Sequence, residues 1–150
     1  MIPVTYRAIF SQDADSGCIG VRFPSFPHII TFGDDWEHAL EMASEALNAA
    51  LETDFDRNQP LPRSTKGKLK KGEKSSLVRI DADIRFAYIL RSWREDAELT
   101  QKQLAKQLNI SYQAYQRMER PGRANLTVNT LDSIAQALGK DLILDLKEAV

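Results

Sequence analysis

Gln113, Gln116, Arg117 and Arg120 recur at separations of three and four residues, so a helix over this stretch places all four along one side. Ala114, Tyr115 and Met118 fall on the opposite side and supply a core face. Glutamine can pair bidentately with adenine, and arginine with guanine, in the major groove, so the outward residues have the chemistry of base reading. Over residues 101 to 123, Lys102, Lys106, Arg117, Arg120 and Arg123 stand against Glu119 alone, a net +4 that favours a polyanion. The competing structural reading is a helical bundle with a polar surface.

A second kind of chemistry would need carboxylates. Asp13, Asp15, Asp34, Glu37 and Glu41 could form a two-metal nuclease site. Each has a plainer role. Asp13 and Asp15 lie in turn chemistry, while Asp34 is placed to cap a helix with Glu37 three residues on, as in a capping box. Cys18 is the only cysteine, which excludes an internal disulfide and a cysteine-based zinc site. It reads as a small half-buried strand residue. His28 and His38 have no His or Cys three or four residues away, so both read as structural or surface residues. No catalytic residue, metal or cofactor is implied, and the chain is not read as an enzyme.

The elements that position these residues follow from periodicity. Val4, Tyr6, Ala8 and Phe10 alternate as in a half-buried strand over about 3 to 10; residues 11 to 17 turn, and Cys18 to Phe23 completes a hairpin. Pro24-Ser25-Phe26-Pro27 interrupts pairing, leaving a short third strand from Ile29 to Phe32. Helical spacing of Trp36, Leu40, Ala43, Leu47 and Ala50 predicts a helix from about 35 to 52, thin along Ala39, Ala43, Ala46 and Ala50, with Glu41, Glu45, Asn48 and Glu52 pointing away. Pro60, Pro62 and the lysine- and glycine-rich run from Lys66 to Gly72 read as a flexible linker. Leu77 to Ile80 is a strand candidate for either neighbour. Asp81 or Asp83 opens a helix from about 84 to 97 with Ile84, Ala87, Tyr88, Leu90 and Ala97 inward. Thr100 caps a short helix, Asn109 turns the corner and Ser111 caps the next. A closing helix and an apolar strand, Asp141 to Leu146, follow.

At 150 residues the chain can hold two small modules, and its charge is divided unevenly between them. Residues 1 to 65 carry four Arg against ten acidic groups, net −6; residues 66 to 76 are net +4 and residues 77 to 150 net +1. The expectation is an α+β chain: a βββα module with an open place for a fourth strand at 1–65, a basic linker at 66–76, and an all-helical helix-turn-helix module with a terminal strand at 77–150. With 43% hydrophobic and 27% charged residues, no apolar run near bilayer length and no signal-like start, a soluble cytoplasmic protein that does not enter membranes is expected.

Residues 84 to 139 resemble the Xre or lambda-repressor-like helix-turn-helix family in Leu99-Thr100-Gln101, Leu104-Ala105, Ser111, Met118-Glu119, Leu131, Ile134-Ala135 and Ala137-Leu138-Gly139. The resemblance implies that Tyr112, Gln113, Gln116 and Arg117 read bases, while Gln101, Lys102, Arg120 and Arg123 contact the DNA backbone. The loop Arg120-Pro121-Gly122-Arg123-Ala124-Asn125 departs from the glycine placement of many members. Paired modules on a palindromic operator are the family's usual arrangement, with strand 141–146 as a dimer edge.

The N-terminal part is similar to HicB-type antitoxins in Tyr6-Arg7-Ala8-Ile9-Phe10, Phe23-Pro24-Ser25-Phe26-Pro27, Thr31-Phe32-Gly33-Asp34, Glu37-His38-Ala39-Leu40, Ala43, Glu45-Ala46-Leu47 and Pro60-Leu61-Pro62. That similarity implies a partial ribonuclease H-like module. It would bind and silence a small basic HicA-type toxin ribonuclease, in a homodimer that could pair further into a tetramer, while the second module represses the shared operon. Asp13, Asp15, Glu41 and Glu45 are the toxin-facing candidates. The alternative is a ligand-sensing repressor with no toxin partner, against which a three-stranded sheet with one helix offers little volume.

Overall fold

The computed structural model describes residues 1–122 and 126–149. Alternation in the first segment produces strand β1 (Thr5–Gln12), in which Tyr6, Ala8 and Phe10 are at most 1% exposed. It pairs antiparallel with β2 (Ile19–Phe23), which pairs with β3 (Phe26–Gly33). Pairing resumes at Phe26, earlier than the proline-bounded reading expects, and takes Pro27 into the strand. This is possible because β3 is an edge strand, where a missing N–H need not break a ladder bond. A register irregularity between Arg22 and Phe23 marks the restart.

A fourth strand, β4 (Lys74–Arg79), closes the order β3-β2-β1-β4 by running antiparallel to β1, with Thr5 opposite Arg79 and Phe10 opposite Lys74. The strand candidate at 77–80 thus joins the N-terminal sheet and starts inside the expected linker, so the sheet extends beyond the boundary expected at residue 65. The rest of that segment is not free either. Thr65 N–H donates to Ser25 Oγ (2.9 Å), Arg22 donates to Lys68 O (3.2 Å) and to Glu73 (2.9 Å), and the Lys70 N–H donates to Glu73 (2.7 Å). Gly67, at φ +66°, comes so near Pro24 and Ile9 that a Cβ would lie 2.5 Å from Pro24 Cγ. This covering explains why Ile9, whose neighbours Ala8 and Phe10 point the other way, is itself 1% exposed.

Helix α1 (Trp36–Asp56) packs against the sheet. Its N-cap is Asp35, which accepts from His38 N–H, not Asp34; the chain turns one residue later because Gly33 lies against the Ala39 backbone, where a Cβ would collide. Ala39, Ala43, Leu47, Leu51 and Phe55 form the buried ridge at i, i+4 spacing, each of the leucines contributing roughly 1.5–3 kcal/mol. Trp36 stays 40% exposed, against Phe10 at 4.8 Å and under Lys74. Asn48, expected to face outward, is 7% exposed. Its amide donates to Ser44 O (3.1 Å) and accepts from Asp81 N–H (3.0 Å), tying α1 to the start of the next helix.

That helix, α2 (Ala82–Asp96), is shared. Ile84, Ala87 and Tyr88 belong to the core of the sheet and α1, whereas Leu90 packs with Leu131 and Ile134 of α5 (Val128–Ala137). Between them, α3 (Gln101–Gln107) and α4 (Tyr112–Met118) close around Leu104, Ala105 and Tyr115. The chain is therefore mixed: strands and one long helix first, shorter helices after.

The terminal strand expected over 141–146 is not formed. Residues 140–149 carry no regular structure: Leu142 reaches the Leu90 cluster, but Ile143, Leu144 and Leu146 are 85%, 64% and 96% exposed. A strand needs a neighbour for its N–H and C=O groups, and both edges of the sheet lie in the N-terminal part of the chain.

Candidate nucleic-acid interface

Local chemistry fixes the angle between α3 and α4. Thr100 accepts from Gln103 N–H (3.2 Å) while the Gln103 side chain accepts from Thr100 N–H (2.8 Å), a reciprocal capping box. Asn109 takes the left-handed conformation, φ 55°, which lets the Ile110 N–H return to Ala105 O (3.0 Å). Ser111 then accepts from Ala114 N–H (3.1 Å) and opens α4. Tyr115, fully buried, anchors the helix from within, and its phenol is pushed up by burial and by the negative charge of Glu119.

On the other side of α4, Gln113, Gln116 and Arg117 are exposed, as are Arg120 beyond its end and Lys102 on α3. Tyr112 and Gln101 are half-buried. The Tyr112 hydroxyl accepts from Gln116 Nε2 (2.7 Å), and Lys102 Nζ lies 5.4 Å from the Tyr112 ring centre, so these three side chains are pre-arranged as a group. Arg123 lies outside the described residues.

Glu119 is where the sequence reading is incomplete. Entered there only in the charge balance, it is 1% exposed. Arg94 of α2 holds it with two hydrogen bonds, Nε at 2.8 Å and Nη2 at 2.7 Å, and its Nη1 reaches Leu99 O (2.8 Å). The Glu119 carboxylate raises the Arg94 pKa above its ordinary value. Gln101 adds a hydrogen bond to Glu119 (3.2 Å), and Arg91 Nε stands 3.9 Å away. Gln101, expected to contact a phosphate, is thereby tied to the end of α4. Helical arithmetic could have found the anchor: Glu119 is four residues after Tyr115, on the buried side, and Arg94 is on a helix whose apolar face was already assigned.

Arg91 links this cluster to the sheet module. Its guanidinium lies 3.3 Å from the Phe55 ring centre and donates to Phe55 O (2.9 Å), and burial lowers its pKa. Facing the exposed α4 residues across a cavity of about 520 Å³ are Phe55 and Asp56, at the end of α1. A second cavity, of about 500 Å³, lies between residues 58–64 and α2, lined by Pro60, Pro62, Arg63, Tyr88, Arg91 and Glu95 among others.

The acidic candidates are separated in role. Asp13 accepts from Ser16 N–H (2.7 Å), Ser16 Oγ (2.9 Å) and Asp15 N–H (3.0 Å), and these bonds hold its carboxyl below the usual range. Asp15, Glu41 and Glu45 are exposed. Among the described residues no group of three or more His, Cys, Asp or Glu could hold a metal ion, and no helix is long and apolar enough to cross a membrane.

Two family models match the chain in succession: "HicB_like antitoxin of bacterial toxin-antitoxin system" over residues 5–77 and "Helix-turn-helix" over residues 90–144. Antitoxin HicB 1 of Photorhabdus laumondii subsp. laumondii is 28% identical over 97% of this chain and 86% of its own length. Antitoxin HicB 2 of the same organism is 30% identical over 83% of this chain and 84% of its own. Among solved structures, a toxin-antitoxin complex from Streptococcus pneumoniae aligns at 24% identity and a TM-score of 0.45, over 52% of this chain and 69% of that one. The N-terminal domain of Burkholderia pseudomallei antitoxin HicB aligns at 18% identity and a TM-score of 0.40, over 51% of this chain and 98% of that one.

An antitoxin-type strand-and-helix module followed by a helix-turn-helix module defines a regulator, not an enzyme. The chain belongs to the HicB antitoxin family.

Proposed function

We propose that this antitoxin neutralises a small basic toxin ribonuclease of the HicA type through its sheet and α1, and represses its own operon by placing α4 in the major groove of a palindromic operator. The observation that carries the DNA half is the exposed row Gln113, Gln116 and Arg117 on a helix whose opposite side is clamped by Glu119 and Arg94. In this reading Tyr112 assists the base readers, and Gln101, Lys102, Arg120 and Arg123 meet the backbone. The toxin half is supported by exposed Asp15, Glu41 and Glu45; Asp13 builds the turn that presents Asp15. We read the order β3-β2-β1-β4 with α1 against it as a reduced ribonuclease H-like arrangement in which β4 runs antiparallel to β1.

The test is co-expression with the product of a neighbouring short basic reading frame. The antitoxin is expected to restore growth, to co-purify with that product and to bind DNA upstream of the pair. A second reading, a ligand-sensing repressor with no toxin partner, has the 500 Å³ cavity in its favour. Growth arrest that the chain does not relieve, together with intact operator binding, would favour it.

A further inference from the structure

The two edges of the sheet are built differently. On one edge, β4 carries Lys74 and Arg79, and charge there opposes pairing with a foreign strand. On the other, β3 has no Lys, Arg, Asp or Glu, and Pro27 blunts only its start. Among the described residues no strand pairs with the outer side of β3, to which every second residue from 28 to 33 turns its N–H and C=O. Ile29 is buried under α1, whereas Ile30 and Phe32, on the face of the sheet turned away from α1, are 82% and 62% exposed. The register explains that exposure. Phe32 lies opposite Gly20, which has no side chain to cover the ring, and Ile30 lies opposite Arg22, whose guanidinium is held by Lys68 O and Glu73.

Carboxylates gather at the Phe32 end of this edge. Gly33 pairs with Ile19 and Ile19 with Gln12, so the turn carrying Asp13 and Asp15 lies at the same end of the sheet as Asp34, Asp35 and Glu37, which follow β3. We infer that β3 takes a strand of the basic toxin as the fifth strand of this sheet, which rests on the toxin reading above. Backbone pairing then supplies the docking. Ile30 and Phe32 meet apolar side chains of the added strand on the outer face, and a lysine or arginine at one end of that strand meets the carboxylates. The β3 of a second copy would bring no cation to them.

The experiment titrates the full chain with the purified product of the neighbouring short basic reading frame. Ile30→Lys and Phe32→Lys, both at exposed positions, should keep the wild-type thermal midpoint and each weaken binding at least tenfold, and Glu37→Lys should weaken it severalfold at low salt. Residue-resolved amide exchange should show protection gained in the complex at alternate residues between 28 and 33, a pattern that side-chain contact alone would not produce. Losses confined to Glu41→Lys and Glu45→Lys, with Ile30→Lys and Phe32→Lys neutral, would put the toxin on α1; that overturns strand addition and leaves the toxin reading standing. Protection of β3 that rises with the concentration of the free chain, with toxin affinity unchanged by Ile30→Lys, would mean that a second copy occupies the edge, and overturns it likewise. No binding by the wild-type chain overturns the toxin reading, and this inference with it.

Discussion

Arg94 and Glu119 meet in a two-bond ion pair, 2.8 and 2.7 Å, with the carboxylate 1% exposed, so the end of α4 is bolted to α2. Breaking one side of a buried pair leaves an uncompensated charge, which costs about 3–5 kcal/mol. Glu119→Gln should therefore lower the stability of the α2–α5 module by about that amount, read by urea unfolding. Replacing both partners, Arg94→Met with Glu119→Leu, should recover a large part of it. A double variant no more stable than Glu119→Gln would show that the pair is not the source of the loss.

Asp56 faces Gln113, Gln116 and Arg117 across the 520 Å³ cavity, where a phosphate backbone would meet its charge. Asp56→Asn should tighten DNA binding severalfold at low salt, an advantage that shrinks as salt rises. Unchanged affinity at low salt would mean that α1 is far from bound DNA.

Glu73 gives a pH prediction. The Lys70 N–H first, and Arg22 with it, hold its carboxyl below the usual range. A group whose folded pKa is depressed stabilises fully above its unfolded value, and that contribution is lost as pH falls through the folded pKa. The segment over Ile9 should thus stay closed at neutral pH and loosen only in acid. The Lys70 amide, followed by exchange NMR, should lose protection below the ordinary carboxylate range, and Glu73→Gln should remove that dependence. Loosening near neutral pH would contradict the assignment.

The α3–α4 corner was legible because every signal in it is local: Thr100, Asn109 and Ser111 act within a few residues of themselves, and the exposed row of α4 follows from helical spacing. Long-range partners were not. Lys66 to Gly72 has the composition of a free linker, yet Gly67 lies on Pro24 and Ile9, residues distant in sequence, because the adjoining β4 pairs with β1. Asn48 and Glu119 look like surface residues until Asp81 and Arg94 arrive from another helix. The terminal strand fails for the converse reason: its alternation is real, but a ladder needs a second strand, and among the described residues none lies beside it.

The most direct test of the account is the affinity of Arg117→Ala for the upstream operator and for random DNA of the same length and salt. The account predicts a loss of about 1–3 kcal/mol on the operator with little change on random DNA, whereas Gln101→Ala should weaken both alike. An equal loss on operator and random DNA for Arg117→Ala would contradict it, because α4 would then be holding the backbone and not reading the bases.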